Sequence, residues 1–169
     1  MRTRKKRYTT RSKEPISGKV LAIDPASRAC GVALFESDGT LIDTWSLTTD
    51  GDTWGDRLCD LACQFAESSV PFEEVTEIAI ECLKGASNSP MLNSISGIFI
   101  QFLPNAKLKT SSFITPSAWK GYIRKVTGEK SPLPKGYESL KLYDSSYPAM
   151  SEDEADSVMI GLTYISKRK

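Results

Sequence analysis

The 169-residue chain contains no histidine. That absence removes the usual general base, so acid–base chemistry here has to be built from other groups. Cysteine is scarce: Cys30, Cys59, Cys63 and Cys82 are scattered through segments that read as core, which supports neither a disulfide framework nor a zinc site. Cys59 and Cys63, four apart on an expected helix, read as packing residues, because two thiolates leave a tetrahedral site incomplete. No apolar run approaches the roughly 18 residues of a membrane-spanning helix. The segment MRTRKKRYTTRSK lacks the apolar stretch of a signal peptide, and a cytoplasmic protein is the expectation. Internal repeats and low-complexity stretches are missing as well.

What is present suits one globular domain, with 40% hydrophobic and 25% charged residues. The expected organisation is a basic extension over 1–17, one domain over 18–166 and a basic end at 167–169. The net charge of +1 hides an asymmetry. Arg2, Arg4, Lys5, Lys6, Arg7, Arg11 and Lys13 precede any acid, which leaves the remainder at about −6 by formal count. Such a tail reads either as a solubilising segment or as an arm for phosphate backbones.

Periodicity predicts three strands between Lys19 and Thr48, with Ser37-Asp38-Gly39-Thr40 turning the last two into a hairpin. From Thr53 the period becomes helical. Trp54, Leu58, Leu61, Ala62 and Phe65 share a face, and Asp52 or Thr53 can cap the start. EIAIECL, nearly all apolar, predicts a central strand. A helix over 91–103, a strand over 108–114 and a helix opened by Thr115-Pro116-Ser117 follow. Between Trp119 and Tyr147 a helix, a loop and a second helix are expected. Ser151 and Glu154 then form a capping box for a last helix, with Ala155, Val158, Met159, Leu162 and Ile165 as its buried stripe. Three strands, helix, strand, helix, strand and helices make an α/β chain of the ribonuclease H-like fold: a mixed five-stranded sheet flanked by helices.

Three apolar segments carry acids at their ends: VLAIDPAS at 20–27, IAIECLKG at 78–85 and SEDEADSVMIGL at 151–162. Unpaired buried ions are costly, so acids in these places call for a counter-cation. Asp24 ends the first strand before Pro25, and Glu81 ends a strand expected to run parallel beside it. Asp153 and Asp156, three apart on a helix, face the same way and can close over that edge. Individually each has an ordinary reading as a turn residue, a solvated strand end or a helix N-terminus. Together they suit a pocket for Mg²⁺, with Mn²⁺ as substitute. Two ions about 3.5–4 Å apart would serve in-line phosphodiester hydrolysis without a side-chain nucleophile.

VLAIDPASRACGVALF, IAIECLKGASNSPMLNSISGIFI, TPSAWKGYIRKVTGEK and EDEADSVMIGL, in this order, resemble the RuvC-like Holliday junction resolvases. The resemblance spans about Lys19 to Tyr164. It implies that Asp24, Glu81, Asp153 and Asp156 are the metal-binding catalytic acids of a homodimeric nuclease acting on four-way DNA junctions, with no small-molecule substrate. The family's lysine pair before V-T-G falls either on Lys120, by its spacing from Pro116, or on Arg124 and Lys125, which precede Val126-Thr127-Gly128. A further lysine falls on Lys130 or Lys135, and Lys84 joins the DNA-binding set. The aromatic wedge that often follows the family's catalytic Glu is replaced by Cys82-Leu83-Lys84-Gly85. The helix from Pro90 would supply the dimer interface, and Ile100 and Leu103 widen its apolar stripe. The basic extension would suit a phage or viral member.

Rival readings are a broader branched-DNA or fork nuclease and a non-catalytic nucleic-acid-binding module on the same fold. An acidic cluster repels phosphate unless metal is present, which weighs against the module. A sugar-kinase or actin-like phosphotransferase would need a second domain and Gly-rich phosphate loops that this chain lacks.

Overall fold

β1 (Lys19–Asp24) lies at the centre of a mixed five-stranded sheet in the computed structural model, which describes residues 15–82 and 90–168. The strand order is β3-β2-β1-β4-β5, with β2 (Ala29–Phe35) and β3 (Leu41–Thr48) antiparallel to their neighbours. β4 (Val75–Glu81) and β5 (Phe113–Ile114) extend the other side in parallel. Alternation along β1 sorts its side chains: Leu21 and Ile23 face one layer, Val20 and Ala22 the other. α1 (Trp54–Glu67) and α2 (Pro90–Gln101) cover the first face. α3 (Pro116–Thr127), α4 (Gly136–Tyr143) and α5 (Glu152–Ser166) cover the second. Among the described residues no helix is long and apolar enough to cross a membrane.

Local chemistry accounts for most boundaries. Thr53, not Asp52, caps α1, in a reciprocal capping box with Asp56. In the β2–β3 turn only Gly39 has positive φ, at 99°, and Glu36 N–H donates to the Thr40 carbonyl at 2.9 Å. The turn is therefore a three-residue loop ending on a glycine bulge rather than a two-residue Asp-Gly turn. The register shift at Phe35 is a separate irregularity, in which Ile42 is the extra residue between Leu41 and Asp43. β5 is shorter than the expected 108–114, because a 3-10 turn at Thr110–Ser112 interrupts it and leaves only an isolated bridge between Lys107 and Glu77.

Some expected burial is corrected by tertiary packing. Trp54 is exposed, as are Cys59 and Cys63 on the outer side of α1, so these thiols are not packing residues. Phe65 instead anchors this layer, with its ring 4.6 Å from Phe99 and 5.2 Å from Phe72. Ile100 and Leu103, which widen the stripe of α2, pack into this same layer. α5 exceeds its five-residue stripe and is buried on nearly every side from Ala155 to Ile165, because the sheet lies beneath it while α3 and α4 flank it.

α5 lies close to the sheet because small residues meet there: Ala22, Gly31, Ala33 and Ala79 in this layer of the sheet, and in the helix Gly161, which faces Phe35. A Cβ on Gly31 would fall 1.9 Å from the Asp153 carbonyl oxygen. Gly31→Ala is therefore expected to destabilise the protein by about 2–3 kcal/mol, because backbone must move to relieve the overlap. Urea denaturation checks this, and an unchanged midpoint would contradict the packing described. The other end of α5 is pinned by a buried acid. Glu77, 4% exposed, accepts hydrogen bonds from the Tyr164 hydroxyl, from Lys109 Nζ at 2.9 Å and from Arg168 at 3.5 Å. Burial alone would raise its pKa, but these partners hold it below the usual value.

Candidate active site

Asp24 is the last residue of β1, and Pro25 stops the ladder directly after it. The parallel register pairs Ile23 with Ile80, so Asp24 and Glu81 follow as neighbours at one edge of the sheet. By alternation both share the face of Ala22 and Ala79, the side covered by α5. Across the antiparallel pair, Asp24 stands opposite Gly31, the glycine on which the Asp153 backbone rests. The helix thus begins beside Asp24, and Asp156 comes one turn further along the same surface.

The acids of SEDEAD divide their tasks. Ser151 Oγ accepts from Glu154 N–H at 3.2 Å, and Glu154 Oε2 accepts from Ser151 N–H at 2.9 Å, which fixes where α5 starts. Glu154 Oε1 also accepts from Thr44 Oγ1 at 2.9 Å and ties the helix to β3. Asp153 and Asp156 take no part in this cap.

Their electrostatics show a site short of positive charge. Burial, followed by the charges of Glu81, Asp156 and Asp153, pushes the Asp24 pKa up to about 8. Burial and then Glu81 push Asp156 up to about 6, against the pull of Lys120. Asp153 is raised mainly by burial, with Glu152 adding to it. Burial raises Glu81 too, although a hydrogen bond from Trp119 and the charge of Lys120 work the other way. Asp156 Oδ1 is buried with no hydrogen-bond partner, an unmet demand for a donor or a cation. Hard oxygen donors, mutual repulsion and one orphaned oxygen suit a hard divalent cation such as Mg²⁺. Among the described residues, no three of these side chains close on a common point tightly enough to hold an ion as they stand.

Sequence comparison finds nothing: no family model and no curated protein matches the chain. Structure comparison does. A Thermus thermophilus RuvC in complex with a Holliday junction substrate superposes with a TM-score of 0.62 at 12% identity, over 89% of this chain and 96% of that one. The fold is that of RuvC. A second Thermus thermophilus RuvC structure gives a TM-score of 0.58 at 14% identity, over 88% and 95% of the two chains.

On this RuvC-like fold the basic candidates separate. Lys120 lies among the acids, since its charge bears on Asp24, Glu81 and Asp156 together. Beside it opens a cleft of about 450 Å³, in which Lys120, Arg124 and Lys135 meet Trp119, Glu152 and Asp156. Lys125 and Lys130 are exposed and do not line it. Lys84 and the basic residues from Arg2 to Lys13 lie outside the described residues.

Two residues absent from the expected set belong to the cleft. Trp119, directly before Lys120, donates from Nε1 to Glu81 Oε2 at 2.6 Å. Its helical spacing with Ile123 marks it only as a core residue, so periodicity gives no hint of that bond. Glu152 faces the basic side of the same cleft, and no sequence signal separates it from the neighbouring acids. Burial pushes the nearby Cys30 thiol up to about 12, and it donates to the Ala26 carbonyl at 3.0 Å.

Proposed function

We propose that this protein is a structure-selective endodeoxyribonuclease that resolves four-way DNA junctions by metal-assisted phosphodiester hydrolysis. One observation carries the reading: two acids at adjacent strand ends meet two more on the first turns of α5, on a fold shared over most of its length with a RuvC that holds junction DNA. Asp24, Glu81, Asp153 and Asp156 would hold Mg²⁺, with Mn²⁺ as substitute. Bound there, the ions would activate a water and neutralise the departing 3′ oxygen. Lys120, Arg124 and Lys135 face a phosphate entering the cleft and offset the repulsion it meets from the acids. The protein would work as a homodimer, since symmetric nicking of a four-way junction takes two sites.

Cleavage of a synthetic four-way junction, compared with linear duplex of the same sequence, tests the proposal. Paired, symmetric nicks in Mg²⁺ or Mn²⁺ are expected on the junction, with little product from the duplex. Equal cleavage of both substrates would remove junction resolution and leave a general nuclease. Absence of cleavage with either metal would favour a binding module. A broader branched-DNA reading has one observation in its favour: Cys82 follows Glu81 directly where an aromatic wedge would give junction selectivity. Replication forks and three-way junctions in the same assay separate the two. The basic residues before Glu14 are proposed as a phosphate-binding arm, whose deletion should flatten the salt dependence of binding.

A further inference from the structure

We propose that Trp119 is the positioning residue of the acidic cleft, holding Glu81 by its ring N–H and Lys120 by its ring face; this rests on the metal-dependent nuclease reading. Trp119 is 3% exposed, so it is not available as a platform on which a DNA base could stack. Its polar edge is nonetheless spent on the cleft. The Nε1 hydrogen bond to Glu81 Oε2 is short and charge-assisted, and the indole N–H donates without being able to act as a ligand itself. It can therefore fix a carboxylate without competing for the ion that carboxylate would hold. The Lys120 ammonium lies 5.0 Å from the centre of the same ring, within cation–π range. One indole thus sets an acid and a cation whose charge bears on that acid.

The backbone makes this arrangement stiff. Glu81 pairs with Ile114 in the sheet, and Cys82 N–H donates to the Ile114 carbonyl at 2.9 Å. Only Thr115 and the first residues of α3 separate that pair from Trp119, and Pro116 fixes the entry of the helix. Both ends of the hydrogen bond are consequently anchored to the same strand junction. Residues that orient metal ligands in this way typically change metal affinity or activity by about 10–100-fold when removed.

Trp119 also packs against the core, so the test has to remove the N–H without the ring. Benzothienylalanine incorporated at position 119 keeps the bicyclic ring and its face but carries sulfur in place of N–H. Mn²⁺ binding to the full chain without DNA is measured by titration calorimetry, beside the Mn²⁺ dependence of junction cleavage. The isostere is expected to weaken Mn²⁺ binding about 10-fold or more and to raise the Mn²⁺ concentration for half-maximal cleavage equally. Junction affinity in EDTA should be unchanged. Mn²⁺ affinity within twofold of the parent protein would overturn the proposal. So would a loss seen with Trp119→Phe but not with the isostere, which would make the ring's volume the cause. If the parent protein itself binds no Mn²⁺, the metal-dependent reading fails first, and the two failures are told apart by that control.

Discussion

Asp24→Asn is expected to lower the rate of four-way junction cleavage by roughly 10³-fold or more while leaving junction binding intact, since it removes an anionic oxygen that the metal chemistry requires. Asp24 is the acid on which the others converge, for Glu81, Asp156 and Asp153 each raise its pKa. Asparagine keeps the shape and withdraws the charge. Binding should persist, or tighten, because the substitution takes one negative charge from the path of the phosphate. Single-turnover cleavage of an end-labelled junction, with gel-shift binding in EDTA, reads both quantities. Cleavage within tenfold of the parent, or binding lost together with cleavage, would contradict the placement of Asp24 at the reacting phosphate.

The same substitution is expected to stabilise the metal-free protein. Folded Asp24 keeps its proton up to about pH 8, whereas in the unfolded chain it releases it near 3.8. The group therefore favours the folded state most at pH values below the lower figure, and that contribution is lost as the pH rises toward the upper one. At pH 8 Asp24→Asn should restore about 5 kcal/mol of stability at most, seen as a melting temperature higher by roughly 5 °C or more. At pH 4 the two proteins should melt together. Mg²⁺ should raise the melting temperature of the parent and have much less effect on the variant, because only the former retains the full set of acids. Thermal melts in EDTA and in Mg²⁺ at the two pH values supply the comparison. Identical melting in EDTA at pH 8 would mean that the acids are not in electrostatic conflict.

Asp24, Ser151 and Glu154 were legible in the sequence for local reasons. An apolar run stopped by Asp-Pro and a Ser-x-x-Glu box each act within a few residues. The parallel pairing of β4 beside β1 was legible too, because a strand that returns behind a helix can run parallel to the first. What escaped depends on contacts distant in sequence. Glu77 reads as the polar start of an apolar strand, yet one of its partners, Tyr164, lies 87 positions away. Lys120 and Lys125 were equivalent by spacing, and only the docking of α3 distinguishes them, by bringing the first to the acids. Trp119 was hidden in plain view as one apolar residue of a helix, because a side chain with a buried ring and a donating edge satisfies a core pattern and a site at once.

α5 supplies Asp153 and Asp156, and it is also the most deeply buried of the described helices, seated on Gly31 at one end and held by Glu77 at the other. Chemistry and foldability therefore draw on the same fifteen residues. A substitution that repositions the acids also disturbs the core, and one that loosens the core also misplaces the acids. Sequence change along this helix should thus be filtered twice, so that descendants of the chain can diverge more freely on the exposed face of α1 while α5 changes slowly. Altered substrate preference is then most accessible through the cleft wall of α3 and the segment leading to α4, which can vary without disturbing the helix that carries half of the acids.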